Sequence, residues 1–257
     1  MRSTVFLFLF WTMLAAMRRN RRLDGKKAGY RFFSEKLWYN TGQRDCAAVR
    51  SEEETSRHSI GIHGGDTMTS EQIKQEAEAL RQTIVSDRQY LHAHAETGFA
   101  LHDTLAFVRK QLTDMGYQPV DCGKAGLVAL AGGKKPGKVF LLRSDMDALP
   151  IAEQSGVDFA CPNGKMHACG HDLHTAMLLG AARLLKQHED EIQGTIKLMF
   201  QPAEEIFEGS SDMIEAGLLK NPDVDAALMI HVMAGMPFAA GTVIVSPPGV
   251  SAPAADY

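Results

Sequence analysis

Residues 165–177, KMHACGHDLHTAM, set His167, Cys169, His171, Asp172 and His174 within eight positions. Thiolate, imidazole and carboxylate together are the donor set of zinc, manganese, cobalt or nickel. One loop histidine is ordinarily just a satisfied side chain, but this density of donors points to a metal site. Cys169 and His171 stand two apart, so an extended loop directs both the same way, and Gly170 between them permits a tight backbone. Asp172 suits the N-cap of the helix that follows.

A second cluster is QPAEE, residues 201–205. Pro202 breaks an apolar strand and two adjacent carboxylates follow. Neighbouring loop residues point in different directions, so one Glu can hold metal while the other faces a water. Metal-assisted hydrolysis needs that division: the ion lowers the water pKa and a carboxylate takes the proton. The residues alone do not say whether Glu204 or Glu205 takes which part. His231, ending the apolar run AALMI, gains meaning only beside these two clusters.

Alternating strands and helices must position these groups. Thr69-Ser70-Glu71-Gln72 reads as an N-cap with a capping-box Gln, and Ile73, Ala77, Leu80, Ile84 and Leu91 recur at helical spacing. A second helix starts near Asp103, lined by Leu105, Val108, Leu112 and Met115 and ended by Gly116. Strands are expected over 127–131, 139–143, 195–200, 226–231 and 242–245. A buried helix is expected over 172–187 and a short one over 210–219. This alternation implies an α/β sandwich with a largely parallel sheet. Segments 139–150, 195–205 and 226–232 each deliver carboxylate or imidazole groups just past an apolar strand, where open α/β sheets place their sites.

These motifs resemble the M20 family of metallopeptidases and amidohydrolases, in particular its branch of hippurate hydrolases, aminoacylases and plant auxin-conjugate hydrolases. The resemblance runs through HAHAETGF (92–99), where that branch usually has Pro at the position of Ala95. It continues through RSDMDALP (143–150), MHACGHDLHTAMLLGAA (166–182), FQPAEE (200–205) and the His231 strand. It implies a zinc-peptidase-like three-layer sandwich and a site for two divalent ions (Zn, Mn, Co or Ni). Cys169 would bridge them, His171, Glu205 and His231 would be further ligands, and Glu204 the general base and then the acid to the leaving amine. Asp145, Asp147, Asp172 and His174 are candidates for orienting the ligands, and His92, His94 and Glu96 lie in a motif near the family's site. The implied reaction is hydrolysis of the amide bond of N-acyl amino acids or similar small amides. Members of the family are longer, with a lid domain that usually mediates homodimerisation and a last metal-binding His after it. Here the sequence stops at SAPAADY, about where the lid should begin, so the expected sandwich is incomplete, its lid missing and its activity impaired.

Composition bounds the rest. Among 257 residues, 45% are hydrophobic and 23% charged, an ordinary globular balance. The net charge of −4 gives no reason to expect nucleic acid. The four cysteines form no C-x-x-C pair, and a reducing, cytoplasmic setting is the simpler expectation. Residues 1–67 hold 12 Lys and Arg against 7 Asp and Glu, whereas the remainder holds 15 against 24. The apolar run 4–16 is too short for a confident membrane span, and no small-residue cleavage site follows it. Gly64-Gly65-Asp66 can be encoded by GGAGGTGAT, a bacterial ribosome-binding sequence, just before Met68. The expectation is a non-globular leader over 1–67, and over 68–257 the first portion of a metal-dependent catalytic domain. A targeting segment at 1–22, in a secreted or anchored protein, is the alternative there. For the chemistry, the alternatives are a non-catalytic metal-binding fragment and a thiol hydrolase with Cys169 as nucleophile.

Overall fold

Thr69 opens the first helix with the capping box its sequence signals. Its hydroxyl accepts the Gln72 amide at 3.2 Å, and its own amide donates to Gln72 Oε1 at 2.6 Å. The computed structural model describes residues 69–235 together with 237, 239 and 241–244. The leader expected over 1–67 lies outside them, as does most of the chain's last stretch. Residues 69–243 fall within one compact unit.

Among the described residues, five α-helices and five strands lie in order: α1 (Ser70–Ala79), α2 (Arg81–Ala93), α3 (His102–Asp114), β1 (Val120–Cys122), β2 (Gly126–Gly132), β3 (Val139–Asp145), α4 (His171–Gln187), β4 (Thr195–Gln201), α5 (Gly209–Glu215) and β5 (Ala226–Met229). The apolar period beginning at Ile73 is carried by two helices rather than one, with a break at Leu80. β1 is additional to the expected strands. Residues 242–244 are in no strand, and Val245 lies outside the described residues. Among the described residues no helix is long and apolar enough to cross a membrane.

The strands form one sheet in the order β1-β2-β4-β3-β5. The sheet is mixed. β1 with β2 and β2 with β4 are antiparallel, while β3 pairs in parallel with both β4 and β5. Its two faces are covered differently, giving three layers. Leu127, Leu142, Leu198 and Phe200 pack on one face against α1, α3 and α4. Val128, Leu141 and Met199 pack on the other against Met213 of α5 and Leu218. α4 is buried around most of its circumference, as its apolar sequence requires.

Lys197 of β4 is 2% exposed. Its ammonium donates to the carbonyls of Leu218, Lys220 and Pro222 at 2.8, 2.9 and 3.0 Å, closing the turn after α5. Burial lowers its pKa. A charge so far from water stands because three acceptors surround it.

The parallel half of the sheet positions the site. β3 and β4 end side by side, with Asp145 opposite Gln201, and Met146 N donates to Gln201 O at 2.8 Å. β5 runs the same way, with Met229 opposite Arg143. Three chain segments therefore leave the sheet at one end, as the sequence suggested.

Candidate metal centre

α4 begins where the Cys169–His174 cluster turns. Gly170, at φ 88°, is its N-cap, and a Cβ there would lie 2.5 Å from Val232 Cγ2. The segment is thus turned, not extended, between Cys169 and His171. Asp172 is not the N-cap but sits in the first turn of α4, where a carboxylate complements the helix dipole. Its Oδ2 pairs with Arg88 Nε at 2.7 Å and His92 Nδ1 at 2.8 Å. Asp172 thus pairs with α2 and belongs to none of the converging donor groups.

After β4 the chain folds back on itself. Ala203 takes φ 51° and Phe207 φ 59°. The amides of Glu208 and Gly209 both donate to Ala203 O, at 3.2 and 3.1 Å. A Cβ on Gly209 would overlap Pro202 O at 1.6 Å, so this loop requires glycine. Asp147, past the end of β3, fixes the two carboxylate residues. Its Oδ1 accepts Glu204 N at 2.9 Å and its Oδ2 accepts Glu205 N at 3.1 Å.

The imidazoles are oriented by their own hydrogen bonds. His171 donates Nδ1–H to Asp147 O at 2.7 Å, which leaves Nε2 as the free lone pair. That Nε2 faces Asp145 Oδ2 at 3.6 Å and Glu204 Oε2 and Glu205 Oε1 at 3.8 Å each. His231, two residues beyond β5, donates Nδ1–H to Val232 O at 2.7 Å, and its Nε2 meets Cys169 Sγ at 3.3 Å. His174 is occupied on both sides. It pairs through Nδ1 with Asp145 Oδ1 at 2.6 Å and through Nε2 accepts Val232 N at 2.9 Å.

Three groups of donors converge: Cys169, His171 and His231; His171, Glu204 and Glu205; and Asp145, His171 and His174. The last offers no free nitrogen on His174. The other two share His171, and all five residues of the expected ligand and base set are in them. His171 Nε2 and Glu205 Oε1 are buried without a hydrogen-bond partner, which is costly for polar atoms unless something else binds them. The electrostatics match. Burial and the carboxylates of Glu205, Glu204 and Asp145 push the Cys169 thiol up to about 11. Burial pushes Glu205 up as well. For His171, burial is outweighed by Asp147, Asp145 and Glu205, and its pKa rises. Burial leads the Cys169 and Glu205 shifts, with neighbouring carboxylates adding to the first and raising His171, and soft and hard donors together there suit a divalent cation.

Asp145 is fully buried; against that burial, the bond from His174, the nearby His171 and Arg143 hold its pKa well below the usual carboxylate range. Arg143 reaches its Oδ2 at 2.8 Å and donates to Gln201 Oε1 at 2.9 Å. The motif at 92–99 also acquires parts. His92 lies between Asp172 and Glu153 Oε1, the latter at 2.9 Å. Glu96 accepts the Asp103 and Thr104 amides at 3.2 and 2.9 Å, at the start of α3. His94 stacks on Tyr90 with ring centroids 4.1 Å apart and belongs to none of the donor groups. Arg143 opens the RSDMDALP motif, whereas Arg88 and Glu153 carried no sequence signal beyond their charge.

The profile of Peptidase family M20/M25/M40 matches residues 141–247. The chain is 42% identical over 160 residues to an N-acyl-L-amino acid amidohydrolase of Geobacillus stearothermophilus, covering 61% of this chain and 43% of that protein. It is 44% identical over 154 residues to IAA-amino acid hydrolase ILR1-like 5 of Arabidopsis thaliana, covering 58% and 34%. Among solved structures it is similar to the Bacillus subtilis YXEP protein, a dinuclear metal-binding peptidase of the M20 family. There the TM-score is 0.59 with 39% identity, covering 62% of this chain and 45% of that one. The chain thus spans less than half the length of each of these relatives.

Proposed function

We propose that this chain, whose residues 141–247 match the model of Peptidase family M20/M25/M40, is a metal-dependent hydrolase of N-acyl amino acids or similar small amides. The observation that carries the reading is the facing pair of buried, unpartnered donors, His171 Nε2 and Glu205 Oε1, beside Cys169 and His231. In this reading Cys169, His171, Glu205 and His231 would hold two divalent ions of the zinc, manganese, cobalt or nickel type. When bound, the ions supply Lewis acidity to the amide carbonyl and to the attacking water.

The two glutamates divide by depth. Glu205 has the less exposed side chain, 18% against 31% for Glu204, and its Oε1 is among the buried, unpartnered atoms. That suits Glu205 to permanent ligation and Glu204 to the face where water and substrate arrive. Glu204 takes the proton from the attacking water and returns it to the amide nitrogen as the bond breaks, releasing a carboxylic acid and an amino acid. Asp147 keeps both carboxylates in place through their backbone amides. A thiol mechanism at Cys169 fits poorly, because its surroundings raise the thiol pKa where an activated nucleophile needs it lowered.

The test is metal content per chain on the purified protein, with hydrolysis of N-acetyl amino acids and hippurate measured with and without chelator. Bound metal with chelator-sensitive turnover is expected. Turnover that survives chelator and is abolished by thiol alkylation would overturn the proposal. Metal without turnover would make the chain a metal-binding member of the family, not an enzyme.

A further inference from the structure

We propose that His174 is the positioning residue of this site, a neutral imidazole of fixed tautomer that ties the His231 segment to the centre of the sheet. The inference rests on the reading of His231 as a ligand. Among the described residues β5 is the edge strand and pairs only with β3. It ends at Met229, so His231, an exposed residue, lies beyond the last ladder bond. The next residue is held from the side: Val232 N donates to His174 Nε2 at 2.9 Å. The His231 ring rests edge-on against His174, with centroids 4.7 Å apart.

The proton inventory of His174 follows from its partners. Val232 offers an N–H, so Nε2 must carry a lone pair. A neutral ring then has its one proton on Nδ1, which donates to Asp145 Oδ1 at 2.6 Å. Only that tautomer serves both bonds, since a doubly protonated ring would set N–H against N–H at Val232. Asp145 is itself anchored, through Oδ2 to Arg143, and Arg143 through Nε to Gln201 at the end of β4. A continuous path thus runs from the paired ends of β3 and β4 through Asp145 and His174 to the free end of β5. His174 does not bind metal in this scheme, because neither nitrogen is available.

Two amide isosteres separate the two bonds. His174→Gln can offer Oε1 to the Val232 amide while giving up Asp145. His174→Asn can offer Nδ2–H to Asp145 while falling short of Val232. In the metal-free chain, hydrogen exchange of the Val232 amide should be fast in the Asn variant and protected in the Gln variant and wild type, with β3 and β4 amides protected in all three. In a Co²⁺ titration followed by the thiolate-to-cobalt absorption, the Asn variant should bind about 10- to 100-fold more weakly. It should match His231→Ala, and the double variant should be no worse than either. The Gln variant should stay within a few-fold of wild type. Unchanged Val232 protection in the Asn variant, or equal weakening by Asn and Gln, would overturn the proposal. If the exchange pattern holds but the wild-type protein takes up no cobalt, the positioning stands and the metal reading falls.

Discussion

Asp147 offers the sharpest perturbation, because one fully buried carboxylate crosses from the end of β3 to the loop after β4. It accepts the Glu204 and Glu205 amides at 2.9 and 3.1 Å. A hydrogen bond to an ionised group contributes about 1.5–3 kcal/mol, and two give roughly 3–6 kcal/mol if nothing replaces them. The Glu204 side chain is 31% exposed, so water can reach this loop and take over part of the loss. Asp147→Ala is therefore expected to destabilise the metal-free protein by about 2–4 kcal/mol. Asp147→Asn, which keeps one acceptor oxygen, should cost about half as much. Urea unfolding of the metal-free chain, with the denaturant slope unchanged, reads this directly. The same substitution frees both carboxylates from their shared anchor, so metal affinity should fall in step, although Asp147 itself is no ligand in the proposed set. If Asp147→Ala sits within about 0.5 kcal/mol of wild type, the scatter of ordinary surface changes, the clamp contributes nothing and the positional argument fails.

Three further outcomes follow from the same contacts. Glu204→Gln should keep its metal and lose roughly 10²–10⁴-fold in rate, the usual size of an acid–base contribution; full activity at matched metal content would remove Glu204 from the mechanism. For His92, burial opposes the charge but the bonds to Asp172 and Glu153 outweigh it, and its pKa is raised above 6.5. Its stabilisation is then complete below about pH 6.5 and is lost as the pH climbs through the folded-state value. The difference in unfolding free energy between wild type and His92→Asn should accordingly shrink on the alkaline side, and a difference independent of pH would contradict the assignment. Lys197→Met preserves length but leaves the carbonyls of Leu218, Lys220 and Pro222 without their donor. It should cost about 2–4 kcal/mol, and an unchanged urea midpoint would show that water fills the role.

What could be read before the structure was local. The capping box at Thr69 is written in four consecutive residues, and the apolar run of α4 admits little but a buried helix. The strands ending at Asp145 and Gln201 announce their polar exits directly. The break at Leu80 was hidden because both helices share one apolar face, so the spacing of Ile73, Ala77 and Ile84 continues across it. The antiparallel placement of β2 beside β4 was hidden for another reason. A turn-rich linker after Gly132 suggests a neighbour, but β4 inserts between β2 and β3, and strand order is set by packing partners far along the chain.

The site divides along the same line. Its donors were legible because thiol, imidazole and carboxylate groups are rarely so dense without a purpose, and the structure gathers Cys169 and His231, and separately Glu204 and Glu205, around His171. Their supports were not legible. A buried carboxylate needs a compensating group, but sequence does not say which of many basic residues supplies it. Asp145 found Arg143 two residues away and His174 across the helix, while Asp172 found Arg88 and His92 from α2. The division between Glu204 and Glu205 shows the limit most clearly. Adjacent in sequence and identical in chemistry, they differ only in depth, and depth is set by how the loop folds back between Ala203 and Gly209. The proposed assignment of ligand and base therefore rests on that fold and not on the sequence.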